Sequence, residues 1–464
     1  MDVKRQIWIK SFLFVLPVLA LGLFILLRNT GVREIHTPID TPSVAVKDAQ
    51  PAADDWPWWR GHNGRNSAAA MADLPIQWSS SENIAWKTSV PGRGHSSPCL
   101  WGERLFLTTA DDEKQTVSLL CFDRESGRSL WQTQLHRGGF MESHQKNSQA
   151  SSTPACDGRS IFVTCAVHGS LWVTAVDFNG QIVWSREAGP YSSEWGYGSS
   201  PTIHQSLVIV AADNRGKAID RLMGTSWLAA MHRLTGEVVW RVKRAEGDSF
   251  GSPVVAHVAG CDQLLLAGKD CVHSYDPSSG DVRWKCRWGI KRTANAIAFD
   301  DKFVYASARH PQAETICIRA DGQGDVTETH LVWRDQKATC DVPSPCVHEG
   351  LFYSLSDDGV LTCLATETGK LQWKKRLGGT VSSSPLIAGQ HLYCANEDGQ
   401  IFVVKLGTRG DIVAENSFGE GLMASPIVSR DRLYFRTLTG LYCLKETQRM
   451  IPVADKPQPT DQRF

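Results

Sequence analysis

The amino-acid sequence predicts an all-β protein: an eight-bladed β-propeller of four-stranded antiparallel blades, preceded by one N-terminal transmembrane helix. Three observations carry this expectation. A four-strand unit repeats at roughly 40–45 residues. Ser-Pro openings and Gly-x-x-x-Trp endings recur with that unit. An apolar run from Ser11 to Leu27 follows a basic N-terminal stretch.

Residues 344–373 show the unit most clearly. Ser344-Pro345-Cys346-Val347 opens a first strand, where a proline is tolerated because it need not donate to a ladder. Leu351-Phe352-Tyr353-Ser354-Leu355 is the second strand, and Asp358-Gly359 predicts a type I′ hairpin. Residues 360–365 form the third, and Thr366-Glu367-Thr368-Gly369 turns the chain into Lys370-Leu371-Gln372-Trp373. One such sheet buries too little apolar surface to stand alone, so it must stack on copies of itself.

The endings recur at Gly127 to Trp131, Gly180 to Trp184, Gly236 to Trp240, Gly280 to Trp284 and Gly369 to Trp373. Openings stand at Ser97-Pro98, Thr153-Pro154, Ser200-Pro201, Ser252-Pro253, Ser344-Pro345, Ser384-Pro385 and Ser425-Pro426. A degenerate one at Thr293-Ala294-Asn295-Ala296 completes eight, which is within the usual range for propellers. The eighth unit has strands near residues 433–436 and 441–444 but no fourth, whereas Ile84-Ala85-Trp86-Lys87 is a fourth strand with no blade before it. The N-terminal strand is therefore expected to close the last blade and remove the open edge.

The seventh unit carries Ala414 where Trp373 stands in the sixth, and the fifth replaces its short turn with residues 320–329; looser packing is expected at both. Residues 136–150 and 214–227 are longer connections, of the kind that carry binding surfaces in repeat proteins.

Lys4, Arg5 and Lys10 flank the apolar run, and residues 7–27 reach about the 20 residues a bilayer requires. The reading is an anchor (residues 1–28) in the cytoplasmic membrane, with the propeller on the periplasmic or extracytoplasmic side. Ala20-Leu21-Gly22 offers a competing signal-peptide site, but cleavage there would leave residues 23–27 exposed. Residues 29–55, rich in Pro, Thr, Ala and Asp, read as a flexible tether. The propeller is assigned to residues 56–449 and a disordered tail to residues 450–464. Trp56-Pro57-Trp58-Trp59 reads as an aromatic plug over the ring edge.

The formal net charge is zero, with no basic stripe, so nucleic acid is not an expected partner. The thirteen cysteines include no C-x-x-C pair, no haem signature and no adjacent pair. Cys121, Cys317, Cys363 and Cys443 share a third-strand position, which favours a small buried hydrophobe over metal or redox chemistry.

The Asp-x-x-[Thr/Ser]-Gly-x-x-x-Trp turns, as at Asp123 to Trp131 and Asp276 to Trp284, resemble the tryptophan-docking repeats of pyrroloquinoline-quinone-type propellers. That superfamily contains the quinoprotein alcohol dehydrogenases and the non-enzymatic outer-membrane assembly factor of the BamB type. Residues 56–61 and 91–98 further resemble a planctomycete group of quinone-like repeat proteins. The resemblance implies an eight-bladed ring with docking roles for Trp86, Trp131, Trp184, Trp240, Trp284, Trp333 and Trp373. The quinone enzymes also carry a vicinal disulfide, a calcium ion and a catalytic aspartate. The vicinal pair is absent here and no motif places the others, so no cofactor is expected; pyrroloquinoline quinone with calcium is the alternative.

Loops entering the innermost strands ring a propeller's channel, where ligands bind. Those loops hold Arg93 and His95; His144, Lys146 and Asn147; Glu194, Trp195 and Tyr197; Asp248; Lys291 and Arg292; and Asp341. Such cations, carboxylates and aromatics suit a small acidic or sugar-like ligand, or they satisfy one another. No catalytic triad, zinc-ligand or phosphate-loop motif occurs. Three functions stay open: a scaffold for protein or envelope partners, which is the leading reading; a quinone-dependent dehydrogenase of alcohols or sugars; and a small-ligand sensor.

Overall fold

The computed structural model describes residues 50–68, 74–215 and 226–447, together with the backbone of Ile35–His36. The expected anchor, most of the tether and the expected tail lie outside the described residues. Among the described residues no helix is long and apolar enough to cross a membrane.

Eight antiparallel sheets form the blades in chain order. Blade 1 comprises Cys99–Trp101, Arg104–Asp111, Thr116–Asp123 and Ser129–Arg137. Blade 6 comprises Cys346–His348, Leu351–Leu355, Val360–Ala365 and Leu371–Arg376, so its first strand begins one residue past Pro345. Inner strands are buried on both faces, whereas outer strands such as Leu371–Arg376 alternate between contact and solvent, as a sheet stacked edge-inward in a ring requires. In blade 8, Ile427–Ser429, Arg432–Arg436 and Gly440–Lys445 are joined by Ile84–Ser89, with Trp86 opposite Cys443 and Ser89 opposite Gly440. That pairing closes the ring.

Outer-strand tryptophans other than Trp284 reach the third turn of the next blade. The Trp131 indole donates to the Phe178 carbonyl at 3.0 Å, Trp184 to Arg233 at 2.9 Å, Trp333 to Thr366 at 2.7 Å and Trp373 to Gly407 at 2.8 Å. The glycine of that turn lies under the ring. At Gly236 the backbone holds φ +71°, and a Cβ would stand 2.6 Å from Trp184 Cε3. The Gly-x-x-x-Trp signature thus joins two contacts: its glycine receives the preceding blade's indole, and its tryptophan docks on the following blade.

Several expectations are corrected. The Asp358-Gly359 hairpin is not type I′: only Gly359 has positive φ, and its N–H closes a turn onto Ser356 at 2.9 Å. Packing at the irregular units is not loose. In the cluster that contains Ala414, Trp78 fills the vacant space, with its backbone N–H on Asn416 Oδ1 at 2.9 Å and its ring beside Phe418 and Phe435. The long turn of blade 5 adds Gly324–Asp325 as a parallel strand on blade 4 and buries Val326. Trp284 there is fully buried; its indole bonds Gln263 Oε1 at 2.9 Å, and Gln263 Nε2 bonds the Ala320 carbonyl at 2.9 Å. An amide bridge replaces the missing glycine turn.

The folded unit also begins before Trp56. Gly102 N–H bonds Asp55 Oδ1 at 2.7 Å, and Asp54 pairs with Arg124 and Arg430. The aromatic segment does not cap an edge but crosses the ring. Trp56 bridges to Leu100, Trp58 packs on the core of blades 2 and 3, and Trp59 on that of blades 4 and 5. Beyond it the Arg60 guanidinium bonds the Pro345 carbonyl of blade 6 at 2.8 Å, and Asn66 that of Pro385 in blade 7 at 2.6 Å.

All thirteen cysteines are free thiols, eleven of them buried. Burial pushes Cys121 and Cys363 up to about 12 and Cys443 to about 11, so these thiols stay protonated small hydrophobes.

Candidate functional site

The opening residue of each unit reaches the axis. Ser97, Thr153, Ser200, Ser252, Ala296, Ser344, Ser384 and Ser425 all line one cavity of about 340 Å³, with Trp59 beside them. Their hydroxyls tie the blades together. The N–H of Ser97 donates to Thr153 Oγ1 at 3.0 Å, that of Thr153 to Ser200 at 3.0 Å and that of Ser200 to Ser252 at 2.8 Å. The series resumes from Ala296 to Ser344 at 2.9 Å, Ser344 to Ser384 at 2.9 Å and Ser384 to Ser425 at 2.8 Å. It breaks after Ser252, because Ala296 offers no hydroxyl, and between blades 8 and 1, where Ser97 Oγ is enclosed without a partner. The Ser-Pro opening therefore has a second meaning: its hydroxyl accepts the inter-blade bond.

A second tier lies two residues upstream of each opening. His95, Ser151, Gly198, Phe250, Ala294, Val342, Ser382 and Met423 all face the cavity, and longer loops add His144, Lys146, Asn147, Trp195, Arg292 and Asp341. Seven sequence candidates thus meet in one funnel: His95, His144, Lys146, Asn147, Trp195, Arg292 and Asp341. Four lie outside its lining. Arg93 bonds the Gln145 carbonyl, Glu194 is exposed, Tyr197 is buried with its hydroxyl on the Ala211 carbonyl at 3.0 Å, and Asp248 pairs with Arg215 at 3.0 Å. Lys291 is also outside, on Asp270 at 2.6 Å. Sequence reasoning missed Trp59, Phe250, Ser382 and Met423; the position two residues before each opening is a signal that locates the last three.

The funnel's charges come as pairs. Arg292 Nη2 stands 3.1 Å from Asp341 Oδ2, and its guanidinium lies 5.4 Å over the Trp195 ring. Lys146, from the connection between blades 1 and 2, crosses to blade 7 and meets both Glu397 oxygens at 3.0 Å, while Ser382 Oγ donates to Glu397 at 2.6 Å. Trp195 is held from its other neighbours by His144 at 5.1 Å between centroids and by Asn147 Nδ2 on its carbonyl at 2.7 Å. Burial pushes His95 down to about 4, helped by the Arg436 and Arg93 cations, so it is neutral at pH 7. Arg436 itself is buried on Ser96 Oγ at 2.6 Å, and burial lowers it to about 9.

These groups can bind and orient a small polar molecule. Calcium takes six to eight oxygen ligands, whereas Asp341 and Glu397 are each committed to a cation on separate elements. No group of three His, Cys, Asp or Glu side chains among the described residues converges for a metal.

Comparisons with known proteins agree on the architecture. The chain is 22% identical to the outer membrane protein assembly factor BamB of Yersinia pestis over 410 residues, covering 82% of this chain and 92% of that protein. The crystal structure of BamB from Moraxella catarrhalis superposes with a TM-score of 0.55 at 15% identity, covering 79% of this chain and 98% of that one. Quinohemoprotein alcohol dehydrogenase from Comamonas testosteroni superposes with a TM-score of 0.62 at 12% identity, covering 86% and 81%. At such identities the structural likeness speaks for the fold alone. The family profile described as outer membrane protein assembly factor BamB matches residues 61–186, 113–335 and 325–413, and the chain therefore belongs to that family.

Proposed function

We propose that this propeller is a non-enzymatic protein-interaction scaffold of the cell envelope, held at the cytoplasmic membrane by residues 7–27 with the ring on the periplasmic or extracytoplasmic side. The family match along the blades carries the reading. Two features of the molecule support it. The funnel's carboxylates are engaged with cations rather than arranged around a nucleophile or metal. Outer strands present large apolar side chains at equivalent places, with Val282 53% and Leu371 55% exposed, which suits contact with another protein. The orientation rests on Lys4, Arg5 and Lys10 ahead of the apolar run.

Two measurements test this. Purified protein supplied with pyrroloquinoline quinone and calcium should show no dye-linked oxidation of alcohols or sugars; turnover dependent on both additions would make it a dehydrogenase. A reporter fused after Phe464 should be active outside the cytoplasm, and activity confined to the cytoplasm would overturn the placement.

A further inference from the structure

The funnel holds paired charges and aromatic faces that scaffolding does not use. We propose that it binds a neutral sugar of mono- to disaccharide size, a site that does not depend on the scaffold reading. A cavity of about 340 Å³ suits a small ligand. Trp59 and Phe250 contribute the apolar faces on which the C–H surface of a sugar ring packs. The Arg292 guanidinium lies 5.4 Å over the Trp195 ring, and the His144 ring is tilted against it with centroids 5.1 Å apart.

The polar groups select against charge. A sugar hydroxyl donates and accepts at once, and the funnel offers a cation and a carboxylate side by side at Arg292–Asp341, 3.1 Å apart, while the charge of Lys146 is neutralised by Glu397, 3.0 Å away and off the cavity lining. An acidic ligand would meet Asp341, and a basic one Arg292 and Lys146. The enclosed Arg436 lies off the cavity wall, bonded to Ser96, and does not tip this balance. The same wall has an unmet acceptor, Asp341 Oδ1, and an unmet donor, Trp195 Nε1. Both are shielded from solvent, so a hydroxyl engages them when either side chain rotates toward the opening.

The test uses the full chain in detergent and saturation-transfer NMR with glucose, N-acetylglucosamine and maltose, beside glucuronate and pyrroloquinoline quinone as charged probes. At least one neutral sugar should receive saturation and bind more tightly than either charged probe. Asp341→Asn should weaken it about tenfold, the worth of one hydrogen bond to a charged group, and Trp195→Phe about fivefold, the worth of a neutral one, with melting temperatures unchanged. Should Asp341→Asn fail to fold, Trp195→Phe and Phe250→Ala decide by the same criterion. No signal from any neutral sugar, equal or tighter binding of a charged probe, or a neutral-sugar affinity indifferent to the folded variants would overturn the proposal.

Discussion

Replacing Trp284 by Ala tests whether blade docking, rather than the funnel, carries stability. The indole is fully buried between blades 4 and 5. Its loss removes the bond to Gln263 Oε1, which keeps Ser274 Oγ at 2.7 Å, so no acceptor is orphaned and the cost is that of the cavity. Truncating a buried Trp costs about 3–5 kcal/mol. At about 2.1 cal/mol/K of unfolding entropy per residue, a ring of roughly 400 residues has ~0.8 kcal/mol/K, so Tm should fall by about 4–6 °C. Lys146→Ala is the comparison. Its side chain is 45% exposed and its ion pair with Glu397 is at the mouth, where such pairs are worth about 0–1 kcal/mol and Tm should move by roughly 1 °C or less. Asn147 is a poorer control, because its side chain bonds Trp195, Ser148 and Ser151 and knits its own loop. Circular-dichroism melts at one concentration and scan rate read the difference. Equal shifts for Trp284→Ala and Lys146→Ala would refute the assignment of core and funnel.

Further predictions concern closure, the glycine turns and acid. Deleting residues 1–49 should leave a folded, soluble ring, whereas deletion through Ser89 removes Ile84–Ser89 and the crossing segment and should abolish cooperative melting; identical melts would refute closure by that strand. Gly236→Ala and Gly260→Ala share a positive φ, at +71° and +77°, but only Gly236 has an indole under its added Cβ. Gly260→Ala should cost about 1–2 kcal/mol from backbone strain and Gly236→Ala about 1–3 kcal/mol more from overpacking; denaturant midpoints should separate them, and equal losses would refute the docking contact. Burial, with Arg436 and Arg93, holds His95 down at about 4, and burial, with Arg244 and Lys285, holds His273 at about 3. Both resist protonation in the fold but accept it at about 6.5 when unfolded, so their contribution is full above that pH and is lost as pH falls toward 4 and then 3. The stability lost between pH 6.5 and 4 should shrink in His95→Gln and His273→Phe; an unchanged slope in both would refute it.

What could be read without the structure was local or repeated. Alternation of side chains, turn residues and the recurring Ser-Pro and Gly-x-x-x-Trp signatures specify a blade and its nearest neighbour. Their repetition sets eight units. The missing eighth fourth strand and the orphan strand at Trp86 imply closure by the same logic, since a strand without a partner needs one. Candidates for the funnel were partly legible because loops entering inner strands occupy the same place in every repeat.

What only the tertiary structure decided depends on residues far apart in the chain, which no period encodes. Trp78 fills the space left by Ala414, and Gln263 replaces a glycine turn, so the irregular units are well packed rather than loose. Trp59 lines the funnel because the segment before the first blade crosses the ring. Lys146 meets Glu397, 251 residues away, and Arg292 meets Asp341 from the next blade's loop, so charges that read as free along the chain neutralise one another in space. By sequence, the turns and strands determine a ring of blades. Its curvature brings distant loops to one axis, and only there do their charges find partners.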